Sequence, residues 1–175
     1  KYVDNFLNYI NKNDSILDIA CGTGELLKYY NDKGFRTTGI DISKEMVNIS
    51  KTKIPNPKVI NMSLYDIDKL QEKFDAISAT FTLVHIPKEK INEFIKKVSE
   101  RLNEDGIFFT VFITSLQEGI QEEPLDRNYK YYAVNYSTEE ISTLLIYNGF
   151  EILENIEATR INKSDVGIIV ARKLK

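Results

Sequence analysis

The sequence contains few of the residues that build metal centres and disulfide bonds. Its 175 residues include one cysteine, one histidine and no tryptophan. A single cysteine excludes a disulfide within the chain and any zinc site that needs several thiolates. A single histidine excludes a histidine-rich metal centre, so we expect no metal cofactor.

Excess positive charge and long apolar runs are also missing. Lys and Arg total 23 against 26 for Asp and Glu, which gives a formal net charge of −3. Nucleic-acid-binding domains are usually basic, so we expect no nucleic-acid partner. No apolar run reaches the ~18–20 residues that span a bilayer, and no secretory signal pattern opens the chain. These absences predict a cytoplasmic protein without a membrane partner, and Lys1 at the first position predicts that further residues precede it.

The residues that are present have the composition of a globular domain. Hydrophobic residues make up 42% of the chain and charged residues 28%. These proportions are typical of folded domains, and the length is that of one domain. We therefore predict a single domain over residues 1–175, in a monomer or homodimer.

Short apolar runs alternate along the chain with stretches of helical periodicity. The patterns predict helices at 1–12, 24–32, 44–53, 87–102 and 138–147, and strands at 16–20, 36–41, 58–64, 74–81, 107–113, 150–159 and 166–173. Strands that alternate with helices imply a mostly parallel sheet, whereas the last two strands predict an antiparallel pair. Residues 114–136 have no clear periodicity.

A glycine turn follows the first predicted strand. Gly22 and Gly24 would let the backbone turn tightly and let a ligand approach it closely. Asp41 ends the second strand at a spacing that suits a carboxylate holding the two hydroxyls of a ribose. The alternatives are a turn without a ligand and an aspartate that caps a helix or lies in a solvated loop.

Two residues distinguish between cofactor classes. Leu27 stands where dinucleotide-binding folds have a third glycine. Asp18 precedes the turn, where its carboxylate would repel a pyrophosphate but attract the sulfonium and ammonium groups of S-adenosylmethionine. Both residues favour S-adenosylmethionine over a nicotinamide cofactor. Alternatively, Asp18 is a buried structural residue that caps the N–H groups of the turn.

Five segments, in chain order, carry motifs of one known family. They are Ile16–Gly24, Gly39–Met46, Phe74–Ile77 with His85–Pro87, Arg101–Gly106, and Asn148–Glu151. Together they resemble the motifs of class I S-adenosylmethionine-dependent methyltransferases. The resemblance implies an α/β fold, a Rossmann-like three-layer sandwich whose seven-stranded, mostly parallel sheet has the order 3-2-1-4-5-7-6 with strand 7 antiparallel.

The resemblance also implies an activity. It implies methyl transfer from S-adenosylmethionine to a small-molecule acceptor, with release of S-adenosylhomocysteine, and leaves the accepting atom, oxygen or nitrogen, open. Alternatives are a catalytically silent S-adenosylmethionine-binding regulatory module, a protein methyltransferase and a nicotinamide-dependent oxidoreductase.

Carried over by position, the resemblance implies a cofactor site of ten residues: Asp18, Ala20, Gly22, Gly24, Asp41, Ile42, Met46, Ser63, Leu64 and Thr80. The glycine turn would line the methionine end, Asp41 would hold the ribose, and Ile42 and Met46 would flank the adenine. Ser63 stands where many members have an aspartate that accepts the adenine amino group, so Asp66 is an alternative for that contact.

The remaining candidates concern the methyl acceptor. His85 follows the fourth strand, and the ordinary histidine pKa of ~6.5 suits a general base near neutral pH. A packing or hydrogen-bonding role is the alternative. Residues 114–136 form a candidate substrate lid, because long loops are often functional. In it, Tyr129, Tyr131 and Tyr132 would bound an aromatic or amphipathic molecule and Arg127 would pair with its acidic group, unless the tyrosines only pack the loop onto the domain.

Overall fold

The computed structural model describes residues 1–55, 57–123, 126–159 and 164–175, with side chains described outside residues 123–129. Its strands are β1 (Ser15–Ile19), β2 (Arg36–Asp41), β3 (Lys58–Asn61), β4 (Phe74–Thr80), β5 (Leu102–Ile113), β6 (Gly119–Glu123), β7 (Asp126–Ala133), β8 (Phe150–Thr159) and β9 (Asp165–Lys173). Its α-helices are α1 (Tyr2–Leu7), α2 (Glu25–Asp32), α3 (Lys44–Lys51), α4 (Lys88–Arg101) and α5 (Thr138–Tyr147). Two short 3₁₀ helices cover Leu64–Lys69 and Leu83–His85.

A seven-stranded sheet organises the domain. Its strand order is β3-β2-β1-β4-β5-β9-β8. The pairs among β1 to β5 are parallel, and β9 runs antiparallel to both β5 and β8. Because β6 and β7 lie outside this sheet, β8 and β9 correspond to the predicted strands 6 and 7. The predicted fold class, strand order and antiparallel last strand are therefore confirmed. Because the chain winds in opposite directions from β1 and β4, the carboxyl ends of these two strands form the point where open α/β sheets bind ligands.

Alternate residues of β5 supply the cores on both faces of the sheet. Phe108 and Phe112 pack on the side of α4 and α5, whereas Phe109 packs on the side of α1 and α2. This alternation follows from the two-residue period of a strand. Phe6 of α1 stacks on Phe109, with ring centroids 4.7 Å apart. The stacked rings fix the N-terminal helix against the sheet beside the carboxyl ends of the strands.

The structure differs from the sequence predictions at several element boundaries. The first helix ends at Leu7, and the third strand ends at Asn61 and is followed by a 3₁₀ helix. The fifth strand begins at Leu102, directly after α4, because its first residues pair with β4 across a register shift.

The segment 114–136, which has no clear periodicity, contains regular structure in its described part. It contains the antiparallel hairpin β6–β7, a separate two-stranded sheet. Exposed apolar residues on this hairpin, such as Ile120, removed the polar–apolar alternation that usually marks a strand. Over the described ranges, no helix has the length and apolarity needed to cross a membrane.

Candidate functional site

Two adjoining cavities lie at the carboxyl ends of β1, β2 and β4. The large cavity has a volume of about 630 Å³ and extends from the glycine turn to the ends of β4 and β5. The small cavity has a volume of about 370 Å³ and lies beside the loop after β3. Ala20, Asp41 and His85 line both cavities. Together the cavities form one continuous candidate site.

The glycine turn lines part of the large cavity. Gly22 has φ +53° and Gly24 has φ +81°, both in the left-handed region. A Cβ on Gly24 would lie 2.2 Å from Ser50 Oγ, so α3 leaves room for glycine only. A Cβ on Gly22 would meet nothing within 4 Å. The backbone at Gly22 therefore faces open space that a ligand can occupy.

Asp41 joins the glycine turn to the start of α3. Its Oδ2 accepts a hydrogen bond from Gly22 N–H at 2.8 Å, and its Oδ1 accepts one from Ser43 N–H at 2.8 Å. Each carboxylate oxygen has a second lone pair, so Asp41 retains acceptor capacity for ligand hydroxyls. The side chain thus fixes the loop after β2 while lining both cavities, and the N-cap of α3 is Ser43 instead of Asp41.

Asp18 is a buried carboxylate at the edge of the large cavity. Only 2% of the residue is exposed, and its Oδ1 accepts a hydrogen bond from Ser78 Oγ at 2.6 Å. Burial raises the pKa of Asp18 to about 7, and the nearby carboxylate of Asp41 adds to the rise, although the Ser78 hydrogen bond opposes it. The sequence alternative in which Asp18 caps the N–H groups of the glycine turn does not apply to Gly22, whose N–H donates to Asp41 Oδ2. A ligand cation would stabilise the charged form of Asp18.

Leu27, which replaces the third glycine of dinucleotide-binding folds, packs against a glycine on the facing strand. Leu27 is completely buried. A Cβ on Gly39 of β2 would lie 2.8 Å from Leu27 Cδ2 and 2.9 Å from Cys21 Sγ. Gly39 thus provides the space that lets α2 approach the sheet. Sequence reasoning missed this compensation, since the two residues are separated along the chain.

The small cavity is formed by the residues around the predicted adenine position. Ile42 lines it and is 75% exposed, and Ser63 and Leu64 line it as well. Asn61 Nδ2 donates to the carbonyls of Asp41 and Ile42, at 3.0 and 2.8 Å, which fixes the loop after β2. An exposed isoleucine on a fixed loop is well placed to cover one face of a flat ligand.

The predicted adenine acceptor has a structural role as well. Ser63 Oγ accepts a hydrogen bond from Tyr65 N–H at 3.3 Å and begins the 3₁₀ helix Leu64–Lys69. Asp66, the alternative acceptor, forms an ion pair with Lys69 at 2.8 Å and is not among the residues lining either cavity.

Nine of the ten predicted cofactor residues line the two cavities. The large one is lined by Asp18, Ala20, Gly22, Asp41, Met46 and Thr80, and the small one by Ile42, Ser63 and Leu64, with Ala20 and Asp41 shared. The tenth, Gly24, lies behind the turn against Ser50. Their roles toward a cofactor remain predictions.

The large cavity also has an apolar wall that sequence reasoning did not identify. It consists of Val3, Leu26, Phe81 and Val111. Phe81 has φ +56°, which costs a non-glycine residue about 1–3 kcal/mol. Its N–H donates to Val111 O at 2.6 Å. No local sequence signal marks a phenylalanine for the left-handed region.

His85 and the hairpin border the entrance of the site. His85 is exposed, and its ring centroid lies 4.9 Å from that of Tyr131. Tyr132 follows on the opposite face of β7, where it is 60% exposed and pairs across the hairpin with Ile120. The structure thus brings Tyr131, but not Tyr132, against His85. The side chains of Arg127 and Tyr129, predicted to contact substrate, lie outside the described residues.

Comparisons with known proteins agree with this architecture. The family model described as "Methyltransferase domain" matches residues 1–155. The ubiquinone/menaquinone biosynthesis C-methyltransferase UbiE of Campylobacter jejuni is 25% identical over 118 residues, covering 63% of this chain and 49% of that protein. The chain spans about two fifths to one half of the length of the curated relatives it matches.

Two solved structures illustrate the shared fold. A SAM-dependent methyltransferase from Methanosarcina mazei superposes with a TM-score of 0.76 at 25% identity, covering 95% of each chain. The 1,6-didemethyltoxoflavin-N1-methyltransferase of Burkholderia thailandensis, which was solved with 1,6-didemethyltoxoflavin and S-adenosylhomocysteine bound, superposes with a TM-score of 0.75 at 18% identity. That match covers 99% of this chain and 77% of the other.

Proposed function

The chain belongs to the family of methyltransferase domains, and on this basis we propose that it methylates a small molecule with S-adenosylmethionine as the donor. The observation that carries the proposal is the pair of carboxylates, Asp18 and Asp41, that flank the glycine turn in one cavity. A cation and a ribose diol on one ligand match this pair. A pyrophosphate does not, because the charged form of Asp18 would repel it and the described residues that line the cavities include no Lys or Arg to pair with it.

The chain's own groups fit the three parts of this donor. Asp18 would attract the α-ammonium group, and the open backbone at Gly22 would accommodate the methionine end. Asp41 would accept hydrogen bonds from the ribose, and the small cavity beside Ile42 would take the adenine. When bound, S-adenosylmethionine supplies a methyl group on a positively charged sulfur, which activates the methyl carbon toward displacement.

The remaining residues would position the acceptor. Its lone pair forms the new bond to the methyl carbon while the carbon–sulfur pair returns to sulfur, so catalysis by the protein is largely alignment. We assign the acceptor's proton, where one must leave, to His85, which lies where the two cavities meet. We also propose that residues 114–136 cover the acceptor, since the hairpin brings Tyr131 against His85.

Calorimetric titration of S-adenosylhomocysteine and of NADH tests this proposal. We expect about micromolar binding of S-adenosylhomocysteine and no binding of NADH. Asp41→Ala should weaken S-adenosylhomocysteine binding by about 1–3 kcal/mol, because buried hydroxyls lose their acceptor. Asp32→Ala, which removes an exposed carboxylate paired with Lys28, is the matched control and should bind as the wild type does.

The outcomes separate the alternatives. Absence of S-adenosylhomocysteine binding would refute the methyltransferase proposal, and NADH binding would support a nicotinamide enzyme. Binding without any turnover of S-adenosylmethionine across an acceptor panel would indicate a regulatory module.

A further inference from the structure

We propose that the methyl acceptor is a flat, uncharged aromatic or heteroaromatic molecule and that Phe81 selects it by presenting its ring to the large cavity. The inference rests on the proposed function and specifies its substrate class. Three observations carry it: the apolar wall, the backbone conformation of Phe81 and the sign of the charges around the site.

The apolar wall is assembled from four separate elements. Val3 comes from α1, Leu26 from α2, Val111 from β5, and Phe81 directly follows β4. A wall of this composition gains free energy by removing apolar surface from water and offers a sugar or a polar chain few hydrogen-bond partners.

The backbone at Phe81 turns its ring toward the cavity. Thr82 is 1% exposed, and its hydroxyl donates to the carbonyl of Ile19 at 3.2 Å, which anchors the bend to β1. Phe81 N–H bonds to Val111 on the other side. Held between β1 and β5 in the left-handed region, Phe81 is 38% exposed and lines the cavity instead of entering the core.

Strained backbone conformations persist where the surrounding structure enforces them, and they cluster at ligand sites. An aromatic side chain held in this way provides a rigid surface on which a planar π-system can stack. The paired rings of His85 and Tyr131 add further aromatic surface at the entrance. The acceptor best matched to these surfaces is itself flat and aromatic.

The charges around the site favour an uncharged acceptor. Among the described residues, the acidic side chains that line the cavities are Asp18, Glu25 and Asp41, and no Lys or Arg side chain lines either cavity. Glu25 is paired with Lys53 at 2.6 Å, and Lys53 itself does not line either cavity. An acidic acceptor would meet like charge here. This inference opposes the sequence prediction that Arg127 pairs with an acidic group of the substrate.

Two probe compounds that differ in charge distinguish an uncharged aromatic acceptor from an acidic one. We would titrate 2-naphthol and 2-naphthoate, which share one ring system and differ in charge at neutral pH, into the protein saturated with S-adenosylhomocysteine. We expect 2-naphthol to bind at least about tenfold more tightly than 2-naphthoate. Phe81→Ala should weaken 2-naphthol binding about tenfold and leave S-adenosylhomocysteine affinity within about twofold, because stacking and buried apolar area are lost at the acceptor side only.

Two further variants test whether the flat ring of Phe81 matters and provide a control. Phe81→Leu retains apolar bulk without a flat ring, so its 2-naphthol affinity should fall between the wild type and Phe81→Ala. Tyr147→Ala removes a tyrosine that is 80% exposed at the end of α5 and should change neither affinity. S-adenosylhomocysteine binding reports that each variant is folded.

Three results would overturn the inference: 2-naphthoate binding as tightly as 2-naphthol, 2-naphthol affinity unaffected by Phe81→Ala, and failure of both compounds to bind the S-adenosylhomocysteine complex. Failure of S-adenosylhomocysteine itself to bind wild type would refute the proposed function instead, so the two failures are distinguishable.

Discussion

Replacement of Asp18 by asparagine should stabilise the ligand-free protein at alkaline pH while weakening cofactor binding. The pKa of Asp18 rises from its ordinary value of 3.8 to about 7 on folding. Between these values the folded protein binds a proton that the unfolded chain does not. Stability must therefore fall as pH rises through this window.

The magnitude follows from the difference between the two pKa values. A difference of about 3 pH units corresponds to about 4 kcal/mol, which is the upper limit of what Asp18 removes from the stability of the ligand-free protein above pH 7. Asparagine has nearly the same shape, keeps an oxygen for the Ser78 hydroxyl and carries no charge. The neighbouring thiol of Cys21 does not ionise in this window, since burial raises its pKa to about 12.

Urea denaturation at several pH values measures this effect. The free energy of unfolding of Asp18→Asn minus that of the wild type should be near zero at about pH 4 and should grow by up to about 1.4 kcal/mol per pH unit until pH 7. The same variant should lose about 1.5–3 kcal/mol of S-adenosylhomocysteine binding, because the ammonium group loses a charged acceptor. Asp32→Asn, at an exposed position, is the control for both assays.

Two results would refute the reasoning about Asp18. One is a stability difference between Asp18→Asn and wild type that does not change from pH 4 to pH 8. The other is tighter or unchanged S-adenosylhomocysteine binding by Asp18→Asn. The first would mean that Asp18 is charged and well compensated in the ligand-free protein, and the second that it does not face the ammonium group.

Three further substitutions probe the turn, the packing of α2 and the candidate base. Gly24→Ala should destabilise the protein by about 2–4 kcal/mol, because it adds a clash with Ser50 to an unfavourable φ. Gly34→Ala, at φ +92° with no atom within 4 Å of the added Cβ, should cost only about 1–2 kcal/mol. Equal losses of unfolding free energy for the two variants in urea denaturation would contradict this reasoning. Gly39→Ala should cost about 1–3 kcal/mol by overpacking against buried side chains, and an unchanged melting temperature would show that α2 can shift. For an acceptor that must lose a proton, His85→Gln should slow methyl transfer by about 10²-fold or more and leave S-adenosylhomocysteine affinity unchanged. An unaltered pH–rate profile would exclude His85 as the base.

The clustering of the residues proposed to bind the cofactor was predictable because its signals are local. Asp41 ends β2, Gly22 and Gly24 lie in the turn between β1 and α2, and the order of strands and helices places these positions together at one edge of the sheet. Side chains that follow parallel strands must meet there, whatever their exact rotamers. The prediction needed only the alternation of elements and a few residue types at fixed spacing.

The acceptor side was not predictable in the same way. Phe81 is exposed because Thr82 and Val111 hold the chain in a bend, and these contacts join strands that are far apart in sequence. Gly39 compensates for Leu27 across a helix–sheet interface. The hairpin β6–β7 lacks alternation because the apolar side chains of Ile120 and Tyr132 are exposed. For Phe81 and Gly39 the decisive contact is tertiary, and the composition of a window of ten residues does not indicate it.

The two sides differ in predictability because different kinds of residue form the proposed donor and acceptor halves of the site. The donor half uses backbone geometry and two carboxylates, which only a few residue types can supply, so the sequence is tightly constrained there. The acceptor half uses apolar area from α1, α2, β5 and the end of β4, which many residue types can supply equally well. On the proposed function, the choice of acceptor therefore depends on the shape of the apolar wall and on the acidic residues that line the cavities, and experiments on Phe81 and Asp18 test the two halves separately.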